Sequence, residues 1–229
     1  MKKTNALKFM TNLALATALA VIAGCASGNY QKGNSTGAGL TDSANKIAEG
    51  NVKIDTTLSS LSDLVNNPQG DLVSKFNKFN SALKDLQSSA ADVKARVTEM
   101  RKTGNEYFAQ WDQQLAAIKN EDIKSRSAER KAQVQKEFSD IKRSYTQVQM
   151  AYEPFISDLK DVQTALSTDL TVGGVTAVKG AVDKANTDSV QLKSAMSDLS
   201  TQFKELGVAM SASGPAPQTG SDTNAPANK

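Results

Sequence analysis

The residues that come closest to a catalytic pattern are serines three positions before lysines. This spacing occurs in some enzymes with a serine nucleophile, and it recurs here at Ser81–Lys84, Ser139–Lys142 and Ser157–Lys160. Such a nucleophile needs a desolvated lysine beside it. The three pairs fall in long helical patterns, at positions expected to face water. The spacing is common in a chain rich in serine and lysine, so it predicts no active site.

A second serine pattern lies nearer the N-terminus. Residues 33–37 read Gly-Asn-Ser-Thr-Gly and match the G-x-S-x-G sequence that surrounds the nucleophile of α/β hydrolases. That arrangement needs a strand before the serine and a histidine as base. No strand pattern precedes Ser35, and the chain contains no histidine. We therefore interpret these residues as part of a linker.

The lack of histidine also bears on metal chemistry. Helical bundles that bind two metal ions use Glu-x-x-His ligand sets, which this chain cannot form. No other group of residues has the composition and spacing of a catalytic or metal site. The sequence predicts a protein that is not an enzyme and that has no metal or cofactor.

Cys25 carries the clearest chemical signal. Three lysines in the first eight residues precede an apolar run over 13–23, which is too short for a stable transmembrane helix. The run ends in Val-Ile-Ala-Gly before Cys25, the only cysteine of the chain. This pattern resembles a bacterial lipobox, which implies diacylglyceryl transfer to Cys25, cleavage before it and acylation of the new amino group. The alternative is an ordinary signal peptide with an incidental cysteine, although a lone free thiol is unusual in an exported protein.

The lipobox predicts that the protein is located in the bacterial cell envelope. Two or more acyl chains give stable anchoring, at about 0.8 kcal/mol per buried CH₂. The residue after Cys25 would be Ala26 and not an aspartate, which by resemblance to enterobacterial sorting favours the outer membrane, facing the periplasm. Cleavage also removes three lysines and no acidic residue, leaving 24 basic residues against 24 acidic ones. Because the mature chain is formally neutral, we expect no nucleic-acid partner.

The rest of the chain is dominated by apolar residues that alternate in steps of four and three. Such a repeat, averaging 3.5 residues, is typical of helices that pack as left-handed coiled coils. The expected helices cover about 40–65, 71–118, 121 to about 166 or 170 and, after a turn at Gly173-Gly174, 178–210. The long second helix has a predicted seam at Leu72, Phe76, Phe79, Leu83, Leu86, Ala90, Val93, Val97, Met100, Gly104, Tyr107, Trp111, Gln114 and Ile118.

These elements predict an all-α fold built on a long antiparallel coiled-coil hairpin that turns at Lys119-Asn120. Two shorter helices flank the hairpin and complete a four-helix bundle at one end. The other end, about 97–138, is expected to project as a two-helix arm. The predicted domains are a lipoprotein signal peptide at 1–24, a flexible tether at 25–39, the helical domain at 40–210 and a disordered tail at 211–229.

The sequence also resembles a known family. The residues that carry the likeness are LSSLSDLVNNPQGDLVSKFNKF over 58–79, Tyr-Phe-Ala-Gln-Trp over 107–111 and Tyr-Glu-Pro-Phe over 152–155. Together they resemble the bacterial family catalogued as domain of unknown function 2959, over about residues 40–206. The resemblance implies an exported lipoprotein of long helices, and it brings no catalytic residue with it.

Two functions remain open. The first is a structural or adaptor lipoprotein whose arm contacts another envelope protein or a second copy of itself. The second is a carrier that holds a small apolar ligand or lipid within the bundle. We expect a carrier to have a cavity lined by Phe76, Phe79, Tyr152, Phe155 and Phe203.

The adaptor hypothesis points to Phe108, Trp111 and Leu115 as partner-binding residues. They widen the apolar stripe of the second helix near the predicted turn, where the facing part of the third helix offers mostly small residues. A two-helix coiled coil covers only a narrow seam, so part of this stripe is expected to stay exposed. The alternative is that Trp111 packs on the aliphatic stems of Arg126 or Lys131.

Overall fold

The protein is described by a computed structural model that covers residues 25–211, with side chains from residue 33 onward. Every regular element in this range is an α-helix, which confirms the predicted all-α class. The helices are α1 (Cys25–Asn66), α2 (Leu72–Ala117), α3 (Glu121–Thr168), α4 (Val172–Ala177) and α5 (Lys179–Met210). The predicted signal peptide and residues 212–229 of the predicted tail lie outside the described residues.

The four long helices form a bundle in which neighbours along the chain run antiparallel. Helix α1 packs against α2 and α5, and α3 packs against the same two helices, so α1 and α3 lie at opposite corners. Short connections force this arrangement because each leaves room only for a return path. The wall between α2 and α3 is the most sparsely packed of the four.

The core follows the predicted seams. Phe79 of α2, Phe155 of α3 and Phe203 of α5 have no exposed surface, and leucines fill the layers between them. The helix starts also agree with the sequence: the side chains of Asp71 and Asn120 accept hydrogen bonds from the backbone amides of the first turns of α2 and α3. Helix α3 continues through Pro154 without ending.

The expected tether at 25–39 is instead helical and belongs to α1. Glycines explain the difference, because they let α1 approach its neighbours closely. A Cβ added at Gly37 would lie 2.7 Å from the carbonyl oxygen of Gly207 on α5, and one at Gly33 would lie 3.6 Å from the Tyr107 ring on α2. Residues that look like linker in sequence thus lie on a packed helix face.

The extension of α1 shortens the predicted arm. Gly33 lies beside Tyr107 and near Met210, and the Arg130 guanidinium donates a hydrogen bond of 3.1 Å to the carbonyl oxygen of Ala209. All four helices therefore reach the level of Tyr107. Beyond Tyr107 the bundle continues as the ends of α2 and α3 with the start of α1 beside them, and the predicted arm from 97 is mostly part of the bundle.

The predicted turn at Gly173-Gly174 is the short helix α4. The Thr171 hydroxyl caps it by accepting a hydrogen bond of 3.2 Å from the Gly174 amide. Gly174 is buried, and a Cβ there would collide with the backbone of Asp169. Gly174 therefore allows α4 to pack closely on the backbone of Asp169. Both glycines are helical, so the expectation of a turn was wrong.

Candidate functional site

A mostly apolar groove lies in the sparsely packed wall between α2 and α3. It has a volume of about 330 Å³ and lies near the middle of both helices. Residues from α1 and α5 form its floor. The lining is mostly apolar or small, and its main members are Gly50, Ile54, Leu86, Ser89, Ala90, Val93, Tyr145, Val148, Tyr152 and Met196.

Small residues create the groove. Helix α2 carries a Ser-Ser-Ala-Ala run over 88–91, where a coiled coil would normally place larger side chains. On the floor, Gly50 of α1 leaves space that the end of the Met196 side chain occupies, since a Cβ at Gly50 would collide with the Met196 methyl group. Methionine adapts readily to irregular surfaces, so the floor can change shape around a ligand.

The lip of the groove is polar. Tyr145 and Tyr152 stand one above the other on α3, and partial burial raises the pKa of both phenols. They therefore stay protonated near neutral pH and can donate hydrogen bonds. In the described structure neither hydroxyl has a hydrogen-bond partner, and the Lys94 ammonium and the Glu153 carboxylate at the lip have no ion-pair partner.

This combination of an apolar floor and a polar lip is suited to binding a small molecule. Small-molecule sites typically have volumes of about 300–1,000 Å³ and apolar walls with a few polar groups. An apolar chain, or one end of an amphiphile, fits this space and polarity.

The groove differs from the cavity expected for a carrier. Of the five aromatic residues predicted to line it, only Tyr152 does so. Three of the others, Phe79, Phe155 and Phe203, fill the core. Phe76 is half-buried near the start of α2. The sequence signal that could have located the groove is the run of small residues over 88–91, which the heptad pattern treats as an ordinary seam through Ala90.

The other candidate residues for chemistry lie apart. All six members of the three serine–lysine pairs are exposed. Among residues 25–211, no three side chains of the metal-binding types come together as a metal site. Cys25 is the first residue of α1, and its predicted lipidation stays a prediction.

The three predicted partner-binding residues have different environments. Phe108 is only 9% exposed, because its ring packs edge-on against Phe138 with centroids 5.1 Å apart, so the exposed part of the stripe lies at the other two residues. Trp111 is half-buried, and its indole N–H donates a hydrogen bond of 3.0 Å to the Ser127 hydroxyl. Leu115 is also half-buried.

The most exposed apolar side chain of this region is one that the sequence did not single out. Ile123, in the first turn of α3, is 55% exposed. Leu115 and Ile118 lie near it in sequence, on the other side of the turn, and both are half-buried. We call these three residues, with the connection 118–120, the turn end.

A comparison with protein families decides the relationship of the chain. A family model described as a protein of unknown function, DUF2959, matches residues 38–205. The chain belongs to the DUF2959 family. The match includes every residue that lines the groove, and it confirms the resemblance seen in the sequence. No curated protein and no solved structure matches the chain.

The DUF2959 match covers most of the bundle but not the start of α1 or the residues before it. The structure adds one fact about membranes: within residues 25–211, none of the helices has the length and apolar character needed to cross a bilayer.

Proposed function

We propose that this protein is a lipid-anchored helical bundle of the bacterial envelope that holds a small apolar or amphiphilic ligand in the groove between α2 and α3. The observation that carries the ligand-binding part is the groove itself, with its volume of about 330 Å³ and its apolar floor. The anchor rests on the lipobox that ends at Cys25, and the residue after it, Ala26, favours the outer membrane.

Different parts of the groove are suited to different parts of an amphiphilic ligand. Ile54, Val148 and Met196 offer apolar surface to a hydrocarbon group, whose transfer out of water contributes about 25 cal/mol per Å². The unpaired phenols of Tyr145 and Tyr152 lie where a ligand oxygen could accept their hydrogen bonds. Because polar groups without protein partners surround an apolar floor, an amphiphile satisfies both parts at once.

Filling the groove tests this proposal. In the variant Ala90→Phe, a ring enters the space between α2 and α3, so the affinity for the apolar fluorophore N-phenyl-1-naphthylamine should fall at least about tenfold, or about 1.4 kcal/mol. The matched control is Ala95→Phe, which places the same ring at an exposed position of the same helix outside the groove. Circular dichroism melting curves establish that both variants fold.

Native mass spectrometry of gently extracted protein gives a second reading. The wild type and Ala95→Phe should carry a bound ligand mass that Ala90→Phe lacks. Equal fluorophore affinity in all three proteins, together with no bound mass in the wild type, would contradict ligand binding in the groove.

A structural or adaptor role through protein contacts is the second candidate. The turn end is where such contacts would be made, because Ile123 is exposed there beside two half-buried apolar residues. A photo-crosslinking amino acid at position 123 in intact cells should then capture an envelope protein or a second copy of this chain. The exposed Met150 in the middle of α3 provides the control position, from which no such product is expected.

Both candidates describe a protein without catalytic activity. In support, the serines and lysines in catalytic-like spacing are solvated, and the groove lip combines phenols, one ammonium and one carboxylate without a recognisable nucleophile and base.

A further inference from the structure

The start of α1 and the turn between α2 and α3 lie at the same end of the bundle. Gly33 of α1 is beside Tyr107 of α2, and the two helices run antiparallel. Eight residues back along α1 is Cys25, and eight residues forward along α2 is Leu115. Each step of eight residues is about 12 Å long, at ~1.5 Å per residue. The first residue of α1 is therefore level with Leu115, within about one helical turn of Ile118.

The side chains at this end are suited to a lipid surface. Ile123 is exposed, and Leu115 and Ile118 keep part of their apolar surface accessible. Trp111 and Tyr107 lie about one and two helical turns before Leu115 on α2, with ring centroids 5.4 Å apart. Tryptophan and tyrosine are the residues that membrane proteins favour at the boundary between hydrocarbon and water.

The charges at the turn end do not oppose such a contact. Glu121 lies 3.8 Å from the Lys124 ammonium, and the Asp122 carboxylate is 3.1 Å from the Arg126 guanidinium. The acidic groups thus have cationic neighbours. Lys119 is exposed with no acidic partner in the described structure, which leaves one cation available to a phosphate headgroup.

We propose that the turn end rests on the bilayer that receives the lipid of Cys25, with Ile123, Leu115 and Ile118 entering its headgroup region. This inference rests on the proposed lipid anchor. A lipidated Cys25 places the membrane at the start of α1, and the register of α1 with α2 then places it at the turn end. The bundle would stand on two contacts, one covalent lipid and one apolar tip, which together restrict its tilt.

A lipid surface fits the turn end better than a protein partner does. A stable protein interface buries about 800 Å² on each side, whereas three partly covered apolar side chains offer a small area. Shallow insertion beside an existing anchor requires no such area, because the acyl chains already hold the protein at the membrane.

The experiment uses the full lipidated protein with the environment-sensitive dye NBD at position 123, introduced as Ile123→Cys. A lipidated Cys25 has no free thiol, and the chain has no other cysteine, so only the new thiol reacts. Matched controls are Met150→Cys in the middle of α3 and Val73→Cys at the opposite end of the bundle, which replace side chains that are 71% and 60% exposed. Each protein is reconstituted into vesicles of phosphatidylethanolamine and phosphatidylglycerol.

We expect the emission of the dye at position 123 to shift to the blue and to be quenched by brominated lipid, with neither effect at positions 150 and 73. If the protein is lipidated and vesicle-bound but position 123 matches the controls, the turn-end contact is wrong and the anchor stands. A blue shift that is seen in native cell membranes, but not in vesicles that contain the labelled protein alone, would assign the turn end to a protein partner instead. An intact mass without acyl chains and a reactive Cys25 thiol would overturn the anchor, and the turn-end contact with it.

Discussion

At the scale of single residues, two features determine how the helices pack. One is the close contact that glycines allow, and the other is the gradual rotation of the apolar stripe around α2. The heptad pattern places Tyr107 in the seam of α2, but the structure buries Phe108 there and leaves Tyr107 half-buried. A straight α-helix drifts by about 20° per heptad relative to a strict seven-residue repeat. Four heptads after Phe79, this drift turns Tyr107 aside and brings Phe108 onto the core-facing line. The sequence pattern identifies the stripe, and the winding of the helix decides which of two adjacent aromatic residues is inside.

Gly207 shows how closely α5 approaches α1. A Cβ at this position would lie 2.6 Å from the Thr41 hydroxyl and 2.8 Å from the carbonyl oxygen of Gly37. We expect Gly207→Ala to destabilise the protein by about 1–3 kcal/mol, since the backbone of α1 cannot move aside as a flexible side chain would. Urea denaturation followed by circular dichroism measures the change.

The matched control is Gly180→Ala, in the first turn of the same helix, where an added Cβ meets nothing within 4 Å. This substitution should raise stability by about 0.4–1 kcal/mol, because alanine loses less backbone entropy on folding. If the two variants changed stability in the same direction and by similar amounts, the close packing of α1 on α5 would be wrong.

At the scale of elements, α3 forms one wall of the groove and also contains a proline that interrupts its backbone hydrogen bonds. Pro154 lies inside the helix, lacks an N–H group and so leaves the carbonyl oxygen of Met150 without its helical donor. Glu153, the residue before the proline, and Tyr152 both line the groove. The element that forms one lip of the candidate site is therefore also the helix with an incomplete backbone ladder.

Replacing this proline should stabilise the helix. Pro154 is exposed, so Pro154→Ala restores a backbone hydrogen bond without disturbing the core, and we expect a gain of up to about 3 kcal/mol. Thermal unfolding measures the gain. Pro68→Ala, in the connection between α1 and α2, serves as the control and should give no comparable increase. A loss of stability in Pro154→Ala would mean that the proline ring makes packing contacts that outweigh the missing bond.

The elements differ in how well the sequence predicts them. The bounds of α2 and α3 follow from the heptads and from their capping residues Asp71 and Asn120, which are local signals. The start of α1 and the short helix α4 were not predicted, since Gly33, Gly37 and Gly174 have low helix propensity and are helical through tertiary packing. The groove was missed for a related reason: it arises where small residues of two helices coincide, which no pattern along one helix reveals.

At the scale of the whole molecule, the proposed attachment to the membrane determines how the bundle is presented. The fold class, the long antiparallel hairpin and the DUF2959 relationship were all accessible from the sequence, because each is written in repeats or motifs. The position of the turn end relative to Cys25 could not be predicted from the sequence. It depends on α1 being helical as far back as Cys25.

The anchor is tested by Cys25→Ser. Without the thiol no diacylglyceryl group can be attached, so the protein should leave the outer-membrane fraction and retain its signal segment. Cell fractionation with intact mass measurement reads both effects. Ala38→Ser, an exposed change elsewhere in α1, is the control that should remain membrane-bound and acylated. If Cys25→Ser fractionated with the outer membrane at the same mature mass as the wild type, the anchor would be wrong.

The path of α1 between α2 and α5 has a mechanical consequence. The helix has 42 residues, about 63 Å at ~1.5 Å per residue, and it packs on both neighbours. If the bilayer holds Cys25 while a load pulls the far end of the bundle, the force runs parallel to these two interfaces. The contacts then resist in shear, all at once, whereas a force across the bundle would peel them apart one layer at a time. Such a rod is strong along its axis and weak sideways.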